Sequence, residues 1–155
     1  PKMILRLPAA TSSISEMAKG RFLEVIDDAA AQVAKVDTVV FCSGKFYYEM
    51  KDKAIELGVD NYAFVRVEQL YPVPEKQIKD VIAKYKNAKN ILWAQEEPSN
   101  MGAWTHIAMS LRDIPFIGVH RHATAATAEG SKKLHEKRLK QLFNDVFQFA
   151  KVKVN

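Results

Sequence analysis

The sequence predicts an α/β fold in which a mostly parallel sheet carries helices on both faces. Three observations lead to this prediction. Short apolar runs rich in β-branched residues have the length and composition of buried strands. They alternate with longer stretches in which apolar residues recur at helical spacing. Glycines and prolines separate the two kinds of segment, and such alternation is typical of parallel strands joined by right-handed helical crossovers.

The chain is predicted to divide into two parts. Residues 1–36 form an N-terminal segment and linker with a short helix, and residues 37–155 form the α/β domain. Residues 1–12 read as extended. Ser13 and Glu16 stand three apart in the capping-box pattern that begins a helix.

The elements of the α/β domain follow one another in alternation. Four strands are predicted from β-branched or aromatic runs, at 38–42, 62–67, 90–94 and 115–119. Four helices are predicted from apolar residues with helical spacing, at 47–57, 74–85, 104–111 and 131–150. Gly58 stands where a glycine commonly ends a helix, and Pro74 where a proline commonly begins one.

Composition is that of an ordinary globular domain. A length of 155 residues allows one core, and the hydrophobic fraction of 48% and charged fraction of 26% are average. No apolar run has the length of a membrane span, so no membrane partner is expected. Cys42 is the only cysteine, which excludes an internal disulfide and favours the cytosol or an organelle matrix. The chain opens at Pro1 rather than at methionine, which indicates a cloned or processed fragment.

The net charge of +5 is concentrated near the C-terminus. Residues 131–155 contain seven lysines and arginines but two acidic residues, which accounts for the whole excess. Basic helices bind nucleic acid or an acidic partner in some proteins and are simply solvated in most. No aromatic residue interleaves the basic cluster, so a solvated face is favoured and no nucleic-acid partner is predicted.

Polar residues follow three of the predicted strands, at ends that would share one edge of a parallel sheet. They are Ser43, Gly44, Lys45, Glu68, Gln69, Gln95, Glu96 and Glu97. Glu68 and Glu96 would form a carboxylate pair suited to acid–base work if the sheet brought them together. No nucleophile or histidine cluster accompanies them, so carboxylates that accept backbone hydrogen bonds or face a partner are favoured. Ser43 and Gly44 are predicted to form a tight turn rather than a phosphate-binding loop.

The sequence contains no self-sufficient catalytic or metal-binding motif. It has no Walker loop, no Gly-rich dinucleotide pattern, no nucleophile elbow and no H-E-x-x-H. His120 and His122 stand two apart, but no third ligand is close in sequence, so no metal site is predicted. Cys42 is predicted to be buried and inert, and Trp93 and Trp104 to pack in the core. The residues by themselves indicate a domain that binds or supports something, with no catalytic and no cofactor-binding residue.

Three stretches carry a family resemblance. Residues 66–74 read R-V-E-Q-L-Y-P-V-P, residues 95–104 read Q-E-E-P-S-N-M-G-A-W, and residues 42–48 read C-S-G-K-F-Y-Y. These stretches resemble the R-[IV]-E-Q-L-Y-P-[FV]-P, Q-E-E-P-x-N-x-G-A-W and C-S-G-K-x-Y-Y segments of the thiamine-diphosphate-dependent decarboxylating subunit of 2-oxoglutarate dehydrogenase, in its C-terminal domain. The resemblance covers nearly the whole chain.

The resemblance weakens after the last predicted strand. The family usually reads G-R-P-x-[SA]-[AS]-x-P-A-x-G, whereas residues 120–130 read H-R-H-A-T-A-A-T-A-E-G. Arg121, Gly130 and His135 are kept, but the glycine before Arg121 and both prolines are absent. The resemblance therefore does not imply the conformation of this loop or any ligand that it holds.

The resemblance implies a transketolase C-terminal-like three-layer sandwich without catalytic activity of its own. In that family thiamine diphosphate and magnesium are bound upstream of this domain. The whole enzyme, an oxidoreductase of the tricarboxylic acid cycle, decarboxylates 2-oxoglutarate and transfers a succinyl group to lipoamide. The implied partners are the remaining domains of the subunit, a homodimer partner and the lipoyl succinyltransferase component. The implied location is the bacterial cytoplasm or, in a eukaryote, the mitochondrial matrix.

Some members of that family bind an acyl-coenzyme A effector with this domain. The cationic candidates for its phosphates are Arg6, Lys45 and Arg121. The candidates for contact with neighbouring domains are Glu68, Gln69, Gln95, Glu96, Glu97 and Asn100. Two alternatives stay open. One is a stand-alone module that binds a phosphorylated or acyl-coenzyme A ligand; the other is the equivalent domain of a pyruvate-type or branched-chain-type dehydrogenase, which lacks the segment at 95–104.

Overall fold

The computed structural model describes residue 2 and residues 4–150. Within these residues five strands form one sheet: β1 (Val25–Ile26), β2 (Thr38–Cys42), β3 (Tyr62–Val67), β4 (Asn90–Pro98) and β5 (Ile117–Arg121). The α-helices are α1 (Ile14–Lys19), α2 (Lys45–Leu57), α3 (Glu75–Lys84), α4 (Trp104–Ser110) and α5 (Lys132–Val146). Short 3-10 helices lie at Ile4–Arg6, Pro8–Ala10 and Phe147–Phe149.

The sheet is parallel apart from one edge. Its strand order is β1-β3-β2-β4-β5. Val40 of β2 lies opposite Phe64 of β3 and Leu92 of β4, in parallel register on both sides. The two-residue β1 is antiparallel, with Val25 opposite Val67. The predicted α/β class with a mostly parallel sheet is confirmed, and each of the four predicted strands is present.

The core lies on both sides of the sheet because side chains alternate along each strand. Val40 and Cys42 of β2 face α2 and α5, whereas Val39 and Phe41 face α3 and α4. All four side chains are fully buried, and such burial stabilises a fold by about 1.5–3 kcal/mol for each large apolar side chain. The prediction of helices on both faces is therefore confirmed.

Local sequence signals set several helix ends. The capping box forms as predicted: the Glu16 backbone N–H donates to Ser13 Oγ at 3.2 Å, and the Ser13 N–H donates to Glu16 Oε2 at 2.7 Å. Gly58 ends α2 in the left-handed conformation, with φ of 65°, which favours glycine because it has no side chain to clash.

Three sequence predictions about local structure are wrong. Of the segment 1–12 predicted as extended, Ile4–Arg6 and Pro8–Ala10 form 3-10 turns, and Thr11 bonds back to the Pro8 carbonyl; residues 1 and 3 lie outside the described residues. The fourth predicted strand, 115–119, lies instead at Ile117–Arg121, because the Phe116 N–H is used in a turn with the Ile114 carbonyl. The third, 90–94, continues to Pro98, since the chain there pairs again with Arg121 after a register shift.

The N-terminal part of the chain is tied to the sheet by Asp28. This carboxylate is buried, accepts a hydrogen bond from the Phe64 backbone N–H at 3.0 Å and pairs with Lys51 at 2.9 Å. Ahead of β1, in contrast, the described residues up to 23 leave large apolar side chains exposed: Leu5, Ile14, Met17, Phe22 and Leu23. The division at residue 36 stays a prediction. Among the described helices, none has the length and apolar character needed to cross a membrane.

Candidate functional site

The carboxyl ends of the parallel strands bring most of the sequence-predicted residues to one edge of the sheet, here called the rim. The rim comprises the residues that follow β2 and β3, the last residues of β4 and β5, and the loops after them. In open α/β sheets this edge is where ligands bind, so the partners of each rim side chain decide what the edge is able to do.

Lys45 is fully engaged by carboxylates. Its ammonium group donates to Glu49 one helical turn away and to Glu96 at 2.9 Å. Burial opposes the charge on Lys45, but the hydrogen bonds to Glu49 and Glu96 outweigh it, and the pKa of Lys45 is raised. A lysine held between two carboxylates presents little net positive charge to a phosphate, so the geometry weakens the phosphate role predicted for Lys45.

Arg66 organises the end of β3. Its guanidinium lies over the rings of Tyr47 and Tyr48, 5.0 and 5.4 Å from their centroids, and donates to the Tyr48 hydroxyl. It also pairs with Glu68 at 3.4 Å. Gln69 donates to the Pro72 carbonyl at 2.8 Å and so shapes the following loop. Arg66 was not among the predicted site residues, although it is the first residue of the stretch at 66–74.

The structure does not form the carboxylate pair considered for Glu68 and Glu96. Strand β2 lies between the strands that carry them, and each carboxylate has its own cation: Arg66 for Glu68 and Lys45 for Glu96. The negative charge of each carboxylate is therefore balanced by its own cation, and the two carboxylates do not act as a pair. The favoured alternative, carboxylates that accept backbone hydrogen bonds or face a partner, stays a prediction, since the contacts seen here are ion pairs with side chains.

The side-chain amide of Gln95 makes hydrogen bonds to the turn after β4. Its side chain is 5% exposed, and its Oε1 accepts from the Trp104 backbone N–H at 2.8 Å and from the Trp93 indole at 3.2 Å. Its Nε2 donates to the Met101 and Pro98 carbonyls at 2.7 and 3.1 Å. Gln95 therefore closes the turn onto the start of α4, and its amide has no capacity left for an external ligand.

A glycine is required beside this amide. Gly102 has a φ of 66°, and a Cβ there would lie 2.9 Å from Gln95 Nε2. Asn100 completes the turn from the other side, because its amide donates to the Thr124 carbonyl at 3.0 Å and accepts from the Thr124 N–H at 3.2 Å. The side chain of Glu97 is exposed. The stretch Q-E-E-P-S-N-M-G-A-W thus acts mainly as a self-contained structural unit.

The loop that departs from the family pattern is held by a buried carboxylate. Glu129 is 5% exposed and pairs with Arg121, which is 14% exposed, and with Arg138 of α5 at 2.7 Å. His135 Nδ1 lies 3.6 Å from the other Glu129 oxygen. Arg121 also donates through Nε to the Glu96 carbonyl. Glu129 was not predicted, since nothing local in the sequence shows that two arginines converge on it.

The three predicted phosphate-binding cations are only partly brought together. Lys45 and Arg121 both contact Glu96, one through its carboxylate and one through its carbonyl. Arg6 is exposed in the N-terminal segment, and none of the hydrogen bonds or ion pairs among the described residues joins it to them. Because Lys45 and Arg121 are already paired with carboxylates, the geometry gives no built phosphate site. The effector role of the three residues stays a prediction.

Cys42, His120 and His122, at or near the rim, carry side chains of the kinds found in catalytic and metal sites. Cys42 is buried as predicted, and burial raises the pKa of its thiol, which disfavours the reactive thiolate. In the described part of the chain no three histidine, cysteine or acidic side chains are grouped as metal ligands. His122 is exposed, while the His120 ring packs 5.4 Å from the Trp104 ring.

Residues 11–147 match the family model described as "2-oxoglutarate dehydrogenase C-terminal". The chain belongs to this family. The match includes the rim, the turn around Gln95 and the divergent loop that contains Glu129, so the resemblance seen in the sequence is confirmed.

Curated relatives agree with the family assignment. The chain is 37% identical over 156 residues to the 2-oxoglutarate dehydrogenase E1 component of Azotobacter vinelandii, covering 95% of this chain and 16% of the relative. The equivalent Geobacillus sp. (strain WCH70) protein is 36% identical over 152 residues, covering 92% and 16%. The human 2-oxoadipate dehydrogenase complex component E1 is 45% identical over 111 residues, covering 70% and 12%. The chain therefore spans about a sixth of the length of the bacterial relatives.

Proposed function

We propose that this chain works as the non-catalytic C-terminal domain of a decarboxylating 2-oxoglutarate dehydrogenase subunit, where it supports the domains that carry out the chemistry. The observation that carries the proposal is that the polar groups of the rim already have partners within the chain. The rim cations and the buried Gln95 amide, which would be the ligand-binding groups of an open α/β sheet, are engaged in these contacts. The family match and the short span relative to the curated relatives support the same role.

The rim residues that the structure describes do not fit thiamine diphosphate or magnesium. Magnesium prefers carboxylate and carbonyl oxygens in octahedral array, whereas the rim carboxylates of Glu68, Glu96 and Glu129 each have a cationic partner. Lys45 and Arg121, which would meet a diphosphate, are paired with carboxylates. We therefore assign the binding of both groups to other domains of the subunit and derive no catalytic step in this one.

The exposed apolar residues of the N-terminal segment are the proposed contact with those domains. Met17 is 77% exposed and Phe22 is 62% exposed. Between this segment and the Arg66–Glu68 end of β3 lies an open cavity of about 930 Å³. Exposed apolar groups of this size, gathered on one segment, are typical of surfaces that are covered in an assembly. Glu68, which is exposed and lines this cavity, extends the same contact.

The wider assignment follows from the family and is proposed with it. The subunit would form a homodimer, decarboxylate 2-oxoglutarate and pass a succinyl group to the lipoyl succinyltransferase component, in the bacterial cytoplasm or the mitochondrial matrix. Of the two alternatives, a stand-alone phosphate-binding module is less well supported because Lys45 and Arg121 are already paired with carboxylates. A pyruvate-type domain is also less well supported, because the curated relatives described above are 2-oxoglutarate and 2-oxoadipate dehydrogenase components.

The proposal is tested in a subunit of the relatives' length that ends with this domain. Phe22→Asp and Met17→Asp each put a charge where an apolar contact is proposed, so we expect loss of 2-oxoglutarate decarboxylation and dissociation or aggregation of the subunit. The matched control is Ile55→Asp, since Ile55 is 75% exposed on α2 and lies outside the N-terminal segment. Full activity and normal mass in the Phe22 and Met17 variants, or equal losses in the control, would contradict the proposed contact.

A further inference from the structure

The outward face of α5 carries a stripe of lysines without carboxylate partners. Lys133, Lys137 and Lys140 stand at i, i+4 and i+7, so they project from one side of the helix, opposite the side that buries Leu142 and Val146. All three are exposed, and none takes part in the ion pairs formed among the described residues. We refer to these three residues as the lysine stripe.

The lysine stripe does not stabilise its own helix. Like charges at i, i+4 and i, i+3 repel each other along a helix. The first turn of α5 begins with Lys132 and Lys133 and contains no acidic residue, although the N-terminal end of a helix favours negative charge. Ser131 precedes the helix without a side-chain capping hydrogen bond. The positive charge on this face is therefore locally unfavourable until an anion meets it.

The cations next to the lysine stripe, unlike those within it, have acidic partners. Arg138, on another side of the same helix, is neutralised by the buried Glu129 at 2.7 Å. Lys132 faces Glu136 at 3.8 Å. The chain thus supplies acidic partners for the cations that flank the stripe and none for the stripe itself. This contrast separates the stripe from the general excess of positive charge near the C-terminus.

We propose that the lysine stripe is a docking surface for an acidic segment of another protein, with carboxylates spaced to meet the three ammonium groups. Seven residues of helix rise about 10 Å, which is the length of a short acidic peptide segment. Nucleic acid is the less suitable occupant. Three charges fall short of the roughly six to ten phosphate contacts of DNA-binding surfaces, and no aromatic side chain lies within the stripe to stack on a base.

Binding of fluorescein-labelled poly-L-glutamate to the 155-residue chain tests the surface. The stripe variant combines Lys133→Glu, Lys137→Glu and Lys140→Glu. The matched control combines Lys19→Glu, Lys86→Glu and Lys89→Glu, which makes the same change in net charge at exposed lysines outside α5. Fluorescence anisotropy is measured at low salt and again in 0.5 M salt, and circular dichroism checks that each variant is folded.

We expect the stripe variant to lose about tenfold or more in affinity, because three ion pairs become three repulsions, and the control to lose far less. High salt should abolish binding by the unaltered chain, since the contacts are exposed. Equal losses in the two variants, or no binding by the unaltered chain, would overturn the proposal. Tighter binding of a short DNA duplex, lost in the stripe variant, would also overturn it and identify nucleic acid as the occupant. None of these results depends on decarboxylation, so they are independent of the proposed function.

Discussion

Replacing Gln95 by glutamate tests whether its amide holds the turn after β4. Gln95→Glu replaces the side-chain NH2 group by an oxygen with almost no change in volume. The new oxygen would lie where Nε2 now donates to the Met101 and Pro98 carbonyls at 2.7 and 3.1 Å. The site is 5% exposed, and no cation contacts the side chain among the hydrogen bonds described above. A carboxylate there would face carbonyl oxygens without a counter-charge, so the folded state should bind a proton at this position.

The size and sign of the effect follow from proton linkage. The folded-state pKa of the new carboxyl is raised, so the folded protein binds more protons than the unfolded one and stability falls as pH rises. Above the unfolded pKa of about 4.3, each pH unit costs about 1.4 kcal/mol, which gives at most about 4 kcal/mol at pH 7 and about 1 kcal/mol at pH 5. For a chain of this length, 4 kcal/mol lowers the melting temperature by roughly 8–16 °C.

Urea denaturation at pH 5 and pH 7 measures the difference. The reference is the unaltered chain, and the control is Glu97→Gln, which removes a charge from an exposed neighbour and should shift the free energy of unfolding by less than about 0.5 kcal/mol at both pH values. A Gln95→Glu variant as stable as the unaltered chain at pH 7, or equally destabilised at both pH values, would refute the role given to this amide.

The remaining predictions concern packing and the divergent loop. Glu129→Gln should lower the free energy of unfolding by about 3 kcal/mol in urea denaturation, because it leaves the half-buried Arg121 without its carboxylate, whereas Glu136→Gln should be nearly neutral. Gly118→Ala should lower the free energy of unfolding by about 1–3 kcal/mol in calorimetry, because the new Cβ would lie 2.7 Å from the Trp104 ring. Gly130→Ala should leave the free energy of unfolding unchanged, because the space around Gly130 is open. Labelling by a disulfide reagent should be slow at Cys42 in the native chain and fast in denaturant, and fast native labelling would contradict its burial and raised thiol pKa.

The sheet could be predicted because its signals are local. The run at Thr38–Cys42 is buried throughout, and the helical spacing before Gly58 ends at that glycine as predicted. The two-residue β1 could not be predicted, because it forms only by pairing with β3 and has no periodic pattern of its own. The start of β5 was predicted two residues early because Pro115 and Phe116 belong to an apolar run with the composition of a strand. The Phe116 N–H instead donates to the Ile114 carbonyl in a turn, so β5 begins at Ile117.

The rim was predicted in position but not in chemistry. The rule that strand ends meet at one edge correctly placed Glu68 and Glu96 there, yet their cations, Arg66 and Lys45, were not assigned to them. Ion pairs join residues that are distant in sequence, so spacing carries no signal for them. The same reason explains why Glu129 was missed, since Arg121 and Arg138 approach it from a strand and a helix.

The family motifs have a physical meaning that the sequence did not reveal. Gln95 and Asn100 were predicted as candidates for contact with neighbouring domains. In the structure Gln95 and Asn100 bond to the backbone around them, and Gly102 gives Gln95 the space it needs. The side chains of Gln95 and Asn100 therefore stabilise the turn between β4 and α4.

In the function that we propose, this domain supports catalysis by a longer subunit and performs none of it. The most direct measurement is 2-oxoglutarate decarboxylation, with thiamine diphosphate and magnesium supplied, by three proteins: the isolated chain, a subunit of the relatives' length that carries it, and the same subunit without residues 11–147. We predict turnover only by the subunit that carries the domain. Turnover by the isolated chain, or undiminished turnover by the subunit without the domain, would contradict the account.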